Sequence, residues 1–255
     1  MRNIEYWLSD KDLNNIYTSS YWNDIEEEKK KGWWIADGEY KKCLDYLKST
    51  NLLSDFLLSE AYIKEYTEKN ENIKIADLAS GSGWISALLS KLENINEVIA
   101  VEISKHRLET LFEHSVKMMK GNGDKISRYL GSFYDIKLEP ESVDIVYMSQ
   151  AFHHADKPMQ LLIESDRILK KGGRIILVGE HYIHTFRFLK RILGYLKETK
   201  KISFDFYELF TPDPVLGDHY YRHSDYHFMF KSFGYDLKYE ITGKGSIIYV
   251  ADKNN

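Results

Sequence analysis

The run Ile73-Lys74-Ile75-Ala76-Asp77-Leu78-Ala79-Ser80-Gly81-Ser82-Gly83-Trp84 constrains this chain more than any other stretch. A short apolar strand ends beside an acid. Two glycines punctuate a small-residue turn, and an apolar helix then begins with Trp84, Ile85, Ala87, Leu88 and Leu89. Strand, glycine turn and helix in that order aim backbone N–H groups and a helix N-terminus at one point, where a nucleotide-like ligand can lie close to the main chain. Glycine at 81 and 83 lets the backbone approach that ligand without a Cβ in the way.

The chain around this turn alternates. Strands are expected at Ile73 to Leu78, Val98 to Ile103, Ile126 to Leu130, Val143 to Met148 and Arg174 to Val178. Helices fill the gaps at about Trp84 to Leu92, Lys105 to Lys120 and Pro158 to Lys170, the last closed by Gly172-Gly173. Such alternation argues for a parallel sheet with helices on both faces. The end differs: a helix at Ser224 to Ser232, then strands at Tyr235 to Ile241 and Ser246 to Ala251 joined by Thr242-Gly243-Lys244-Gly245. That short connection predicts an antiparallel hairpin. The expected fold is α/β: a Rossmann-like, doubly wound, mostly parallel sheet with an antiparallel C-terminal hairpin and an N-terminal helical lid. Residues 1–72 read as the cap or lid. Residues 73–255 read as the ligand-binding core, with an insertion at about 183–221 able to cover the ligand side.

Composition narrows the partner. Lys plus Arg is 35 against 39 Asp plus Glu, a net charge of −4 over 255 residues. A mildly acidic chain does not steer itself toward nucleic acid. The single cysteine, Cys43, forms no internal disulfide and no cysteine metal cluster, which fits a reducing cytoplasm. The N-terminus lacks an apolar signal core, and no segment approaches the roughly 20 apolar residues of a membrane span. The expectation is a cytoplasmic protein that meets a small molecule, with no nucleic-acid or membrane partner. Oligomeric state is not written in the sequence.

Glu102 closes the second strand about 20 residues after the turn, where a carboxylate can accept hydrogen bonds from both ribose hydroxyls of a bound nucleotide. The same geometry serves NAD. Gly81-x-Gly83-x-x-Ser86, however, puts serine where the dinucleotide fingerprint wants glycine or alanine. An NAD(P)-dependent oxidoreductase and a non-catalytic cofactor-binding scaffold therefore stand as the alternatives.

Several motifs in order resemble the class I S-adenosylmethionine-dependent methyltransferases, over about residues 73 to 180 with the terminal hairpin extending the likeness. Asp77-Leu-Ala-Ser-Gly-Ser-Gly83 is similar to the family's first motif, with Ala79 where glycine is commonest. Val98-Ile-Ala-Val-Glu-Ile103 resembles its second strand with a terminal acid. Gly131-Ser132-Phe133-Tyr134-Asp135 stands at the adenine side, with Ser132 in place of the common acid. Val143 to Ser149, then His153-His154-Ala-Asp-Lys-Pro158, then Arg167-Ile-Leu-Lys-Lys-Gly-Gly173 follow the family's fourth-to-fifth strand passage. The resemblance implies S-adenosyl-L-methionine as cofactor and methyl transfer to an oxygen or nitrogen of a small molecule. No Asn/Asp-Pro-Pro-Tyr/Phe run follows the fourth strand, which argues against the amino-methylating enzymes of nucleic acid.

On these grounds Asp77, Ala79, Ser80, Gly81, Gly83, Glu102, Ile103, Ser132, Phe133, Ser149 and Gln150 are the candidate cofactor residues. Asp77 either fixes the turn or faces the methionine end. His153, His154 and His181 are candidate general bases beyond the strand ends. Two adjacent histidines on a turn point different ways, so no metal site is expected. Trp22, Trp33 and Tyr40 in the aromatic N-terminus, and His219, Tyr221 and Arg222 in the insertion, are candidate lid or substrate contacts.

Overall fold

The computed structural model describes residues 1–14, 40–200, 203, 205–212 and 217–254. An eight-stranded sheet organises them. Its strands are β1 (Ile4–Tyr6), β2 (Ile73–Leu78), β3 (Ile95–Glu102), β4 (Ile126–Leu130), β5 (Val143–Ser149), β6 (Leu169–Glu180), β7 (Tyr235–Ile241) and β8 (Ile247–Lys253), in the spatial order β1-β4-β3-β2-β5-β6-β8-β7. The first six positions run parallel, and β8 and β7 close the sheet antiparallel. The order reverses between β2 and β5. In a doubly wound sheet that switch point opens a crevice at the carboxyl ends of the strands.

Apolar residues on both faces explain why the sheet is buried on both sides. On one face Ile75, Val98, Ile145 and Ile176 meet α2 (Tyr40–Ser49), α3 (Leu52–Thr67), α4 (Trp84–Leu89) and α5 (Phe112–Met118) through Leu47, Phe56, Ile63 and Phe112. On the other, Leu78, Val146 and Leu177 meet α6 (Pro158–Ile168) and α9 (His223–Ser232) through Leu161, Leu162, Tyr226 and Phe230. The connection from β6 to α9 holds α7 (Thr185–Thr199) and α8 (Phe206–Leu209). A short helix α1 (Asp10–Asn14) follows β1. Among the described residues no helix is long and apolar enough to cross a membrane.

The hairpin and the alternation stand where the sequence places them. Three details differ. First, Gly172 and Gly173 do not close α6; the helix ends at Ile168 and the glycines lie inside β6, whose apolar continuation pulls the strand back to Leu169. Second, residues 1–72 are not a purely helical cap. Ile4–Tyr6 pairs with Arg128–Leu130 as a parallel edge strand, and α3 buries Leu52, Phe56 and Ile63 in the main core. A three-residue edge strand carries too little periodicity to be seen in sequence. Third, the insertion contains a fifteen-residue helix with no buried residue. Trp22 and Trp33 lie outside the described residues, and Tyr40 begins α2 half-exposed.

Candidate active site

The turn after β2 is the most constrained backbone in the molecule. Ala79, Gly81 and Gly83 all take left-handed φ, at 56°, 57° and 82°. Glycine is required at 83 twice over: a Cβ there would stand 2.6 Å from the Phe112 ring, so only glycine lets α4 and α5 close on each other. At Gly81 a Cβ would find space, and it is the positive φ that calls for glycine. Ser80 donates its N–H to the Val101 carbonyl at 3.0 Å, which ties the turn to β3.

Glu102 is buried and holds the turn from the other side. Its Oε2 accepts Gly81 N–H at 2.6 Å, and its Oε1 accepts the N–H groups of Ile103 at 3.0 Å and Ser104 at 2.8 Å. A carboxylate offers about four acceptor positions. Three are filled, so Oε2 keeps one for a ligand hydroxyl rather than the two that the sequence suggests. Among the described residues the buried Ser80 hydroxyl makes no hydrogen bond, and it offers a further polar group in the same turn. Asp77 is buried beneath it and accepts the Ser86 hydroxyl at 2.5 Å. Burial, with smaller help from the Glu102 charge, pushes Asp77 up to about 7 despite the Ser86 hydrogen bond. Ser132 caps its own loop by accepting Tyr134 N–H, and Phe133 packs edge-on against Tyr134. Trp7, delivered by the unforeseen β1, lies over Gly131 and tilts onto Tyr129 at 4.5 Å. Gly131 N–H donates to the Glu102 carbonyl at 3.0 Å, so the turn, Glu102 and the Gly131–Phe133 loop adjoin, and an open acceptor, an orphan hydroxyl and glycine backbone at 81 and 83 suit the hydroxyl-rich, planar end of S-adenosylmethionine.

A second polar cluster lies beyond β5 and β6. Gln150 takes φ 49° and donates its N–H to the Val178 carbonyl, which turns the chain sharply after Ser149. On β6 the ladder to β8 shifts between Leu177 and Glu180, and Gly179 takes φ 72°. Such a bulge re-aims the next side chain. Glu180, fully buried, swings under the histidine turn. Its Oε1 accepts Ala151 and Phe152 N–H at 3.1 and 3.0 Å; its Oε2 accepts His153 N–H at 3.2 Å, His153 Nδ1 at 2.9 Å and the Tyr226 hydroxyl at 3.2 Å. Burial opposes a charge on His153, but Glu180 outweighs it and the direction is upward. Burial and then the neighbouring His153 push His181 downward. Asp218 is drawn in from the insertion, with Oδ1 3.0 Å from His154 Nδ1 and 3.9 Å from His153 Nε2. The adjoining His219 donates its N–H to the His153 carbonyl at 2.7 Å.

Next to this cluster a cavity of about 650 Å³ opens between the β6 exit and α7. His181, Tyr182, Tyr220 and Tyr221 form one wall, and Arg187, Lys190 and Arg191 line another. These cations line the cavity from an exposed helical face, while Phe188, Ile192 and Tyr195 are the α7 side chains that pack inward. Arg191 lies 4.7 Å over the Phe210 ring. Of the insertion candidates, Tyr221 lines the cavity and donates its hydroxyl to the Ala155 carbonyl. Arg222 does not reach in: its guanidinium forks onto Asp225 at 2.7 to 3.2 Å, where the pair caps α9. His219 stacks on Tyr221 behind the cavity wall. Glu180 and Asp218 were not among the candidates read from sequence. Glu180 carried a readable signal, an acid closing an apolar strand just as Glu102 does. Asp218 carried none, because its position depends on the course of the insertion.

Residues 76–177 match the family described as "Methyltransferase domain". A mitochondrial ubiquinone biosynthesis O-methyltransferase of Candida albicans is 31% identical over 110 residues, 42% of this chain and 32% of that protein. A sterol 24-C-methyltransferase of Candida albicans is 25% identical over 156 residues, 61% of this chain and 40% of that protein. The chain thus spans well under half the length of these curated relatives. Among solved structures, magnesium protoporphyrin IX methyltransferase from Synechocystis, bound to S-adenosylhomocysteine, superposes with a TM-score of 0.60 at 11% identity, covering 92% of this chain and 97% of its own. Sheet order and sequence match converge: residues 76–177 match a methyltransferase domain, and the fold is that of a solved methyltransferase.

Proposed function

We propose that this protein transfers a methyl group from S-adenosylmethionine to an oxygen or nitrogen of a small molecule that carries an anionic group and an apolar body. The observation that carries this reading is the cavity beside the β6 exit, where Arg187, Lys190 and Arg191 face Tyr182, Tyr220 and Phe210. Guanidinium and ammonium groups over aromatic walls suit a phosphate or carboxylate attached to a ring or chain. S-adenosylmethionine supplies an electrophilic sulfonium methyl when bound. Glu102, Ser80 and the turn from Ala79 to Gly83 would hold its nucleoside end, with Asp77 buried beneath the turn. The acceptor's lone pair attacks in line, the carbon–sulfur bond breaks, and a proton leaves the acceptor. His181 is the candidate histidine that lines the cavity and is placed to take it. Positioning and exclusion of water supply much of the rate in such a displacement. The protein's single cysteine, buried in α2, fits the reducing cytoplasm.

Binding of S-adenosylhomocysteine and NADH, followed by a methyl-transfer screen of anionic metabolites, tests the reading. Micromolar binding of the first, none of the second, and turnover lost in Arg191→Glu with unchanged S-adenosylhomocysteine affinity are expected. NADH binding alone, or turnover confined to uncharged acceptors, overturns it.

A further inference from the structure

His153, His154 and Asp218 each present one ligand atom, and these atoms all lie within 4.8 Å of one another. They come from two distant parts of the chain, the turn after β5 and the end of the insertion. The backbone bond from His219 N–H to the His153 carbonyl, at 2.7 Å, pins one part to the other. Adjacent histidines normally diverge. Here the short helical turn Phe152–His154 tilts both rings toward Asp218, with ring centroids 4.3 Å apart.

The donor chemistry is that of a metal centre. Glu180 carries a buried carboxylate that only accepts, so its 2.9 Å contact holds a proton of His153 on Nδ1 and turns Nε2 toward Asp218. A carboxylate behind a histidine is the usual way a metal-binding imidazole is oriented and made more basic. Asp218 Oδ1 stands 3.0 Å from His154 Nδ1, so the carboxylate and the second imidazole already meet at one point. Two ligands on a tetrahedral zinc stand about 3.3 Å apart, and the separations of 3.0 and 3.9 Å at Asp218 Oδ1 bracket that value.

We propose that His153 Nε2, His154 Nδ1 and Asp218 form a binding site for one divalent transition-metal ion of the zinc class. Two imidazoles and a carboxylate leave the fourth position open, the pattern of sites whose metal meets a substrate rather than only bracing a fold. The site adjoins the cavity. The His181 ring packs 4.1 Å from His153 and also lines the basic cavity. A cation there would meet an anionic or hydroxyl-bearing acceptor. The binding claim itself does not rest on methyl transfer.

The full chain is stripped with chelator, dialysed, and titrated with zinc and with cobalt(II). Metal content is read by mass spectrometry and geometry by the cobalt visible spectrum. One equivalent bound at micromolar or tighter affinity, with a tetrahedral cobalt spectrum, is expected. Asp218→Asn and His154→Ala should each weaken binding at least a hundredfold while circular dichroism stays native. Glu180→Gln should weaken it about tenfold to a hundredfold. Absence of stoichiometric metal in the wild-type protein overturns the proposal. So does an equivalent that survives in the His154→Ala/Asp218→Asn double variant. That outcome would move the metal elsewhere, for instance to His223 and His227 on α9, whose Nε2 atoms lie 3.0 Å apart. Loss of metal without loss of S-adenosylhomocysteine binding separates this result from the reading of function.

Discussion

Glu102 at the end of β3 and Glu180 at the end of β6 are both buried carboxylates that gather backbone N–H groups from a turn. They differ in how many acceptor positions they spend. Glu102 takes three donors, all main-chain, and keeps one position open toward the crevice. Glu180 takes five: three backbone N–H groups, the His153 ring and the Tyr226 hydroxyl. A saturated carboxylate can only position its neighbours, whereas one with an acceptor to spare can also bind. The site around Glu102 is therefore built from backbone with a partly free acid, and the site around Glu180 from side chains locked by a fully used one.

The strongest test of this contrast is Glu180→Ala. It strands five buried donors, and removing one partner of such a buried pair costs about 3–5 kcal/mol. Urea unfolding should show a loss of that size, larger than for Glu102→Ala. Equal losses would erase the distinction between the two acids.

Asp77 sharpens the comparison from beneath the turn. Ser86 on α4, Glu102 on β3 and Tyr147 on β5 face it, and none of them is a cation. Its carboxyl, held near 7 in the fold, returns to about 3.9 when the chain unfolds. The folded state then binds more protons between those values, so this group's contribution to stability is fully present below about pH 4 and is lost as pH rises through 7. Asp77→Asn removes that slope and keeps an acceptor for the Ser86 hydroxyl. Denaturation at pH 8 should find the variant more stable, by on the order of 2 kcal/mol. It should also bind S-adenosylhomocysteine more weakly if Asp77 meets the ligand's ammonium group, and unchanged affinity would make Asp77 purely a brace for the turn.

Glu102→Ala addresses the open acceptor position directly. Calorimetry should show at least tenfold weaker S-adenosylhomocysteine binding, about 1.4 kcal/mol. Retained affinity would mean that the spare position is not used.

The same contrast explains what could be read in advance. The parallel sheet, the glycine turn and Glu102 were legible because each follows from a local pattern: short apolar runs alternating with helices, residues that tolerate positive φ, and an acid at a strand end. The region around Glu180 was not. Arg222 looked like an anion ligand in sequence, but Asp225 stands three residues on and takes its guanidinium. Asp218 gains meaning only from a contact 64 residues away in the chain. The alternation pattern hid β1, and with it the placement of Trp7 over Gly131.

Ala79 is where a local rule is broken inside the legible half. Its φ of 56° belongs to the left-handed region, where a Cβ costs roughly 1–2 kcal/mol. Glycine there would relieve that strain but would also free the unfolded chain, which returns about 0.4–1 kcal/mol. The net expectation for Ala79→Gly is a small stabilisation, about 0.5–1 kcal/mol by urea unfolding, with S-adenosylhomocysteine affinity unchanged because the turn's N–H directions are set by Val101 and Glu102. A stabilised variant that binds more weakly would carry a different meaning. The alanine methyl, packed against the apolar cluster on the α6 face, would then be holding the turn in its binding shape, and the strain would be the means by which a backbone-built site stays rigid.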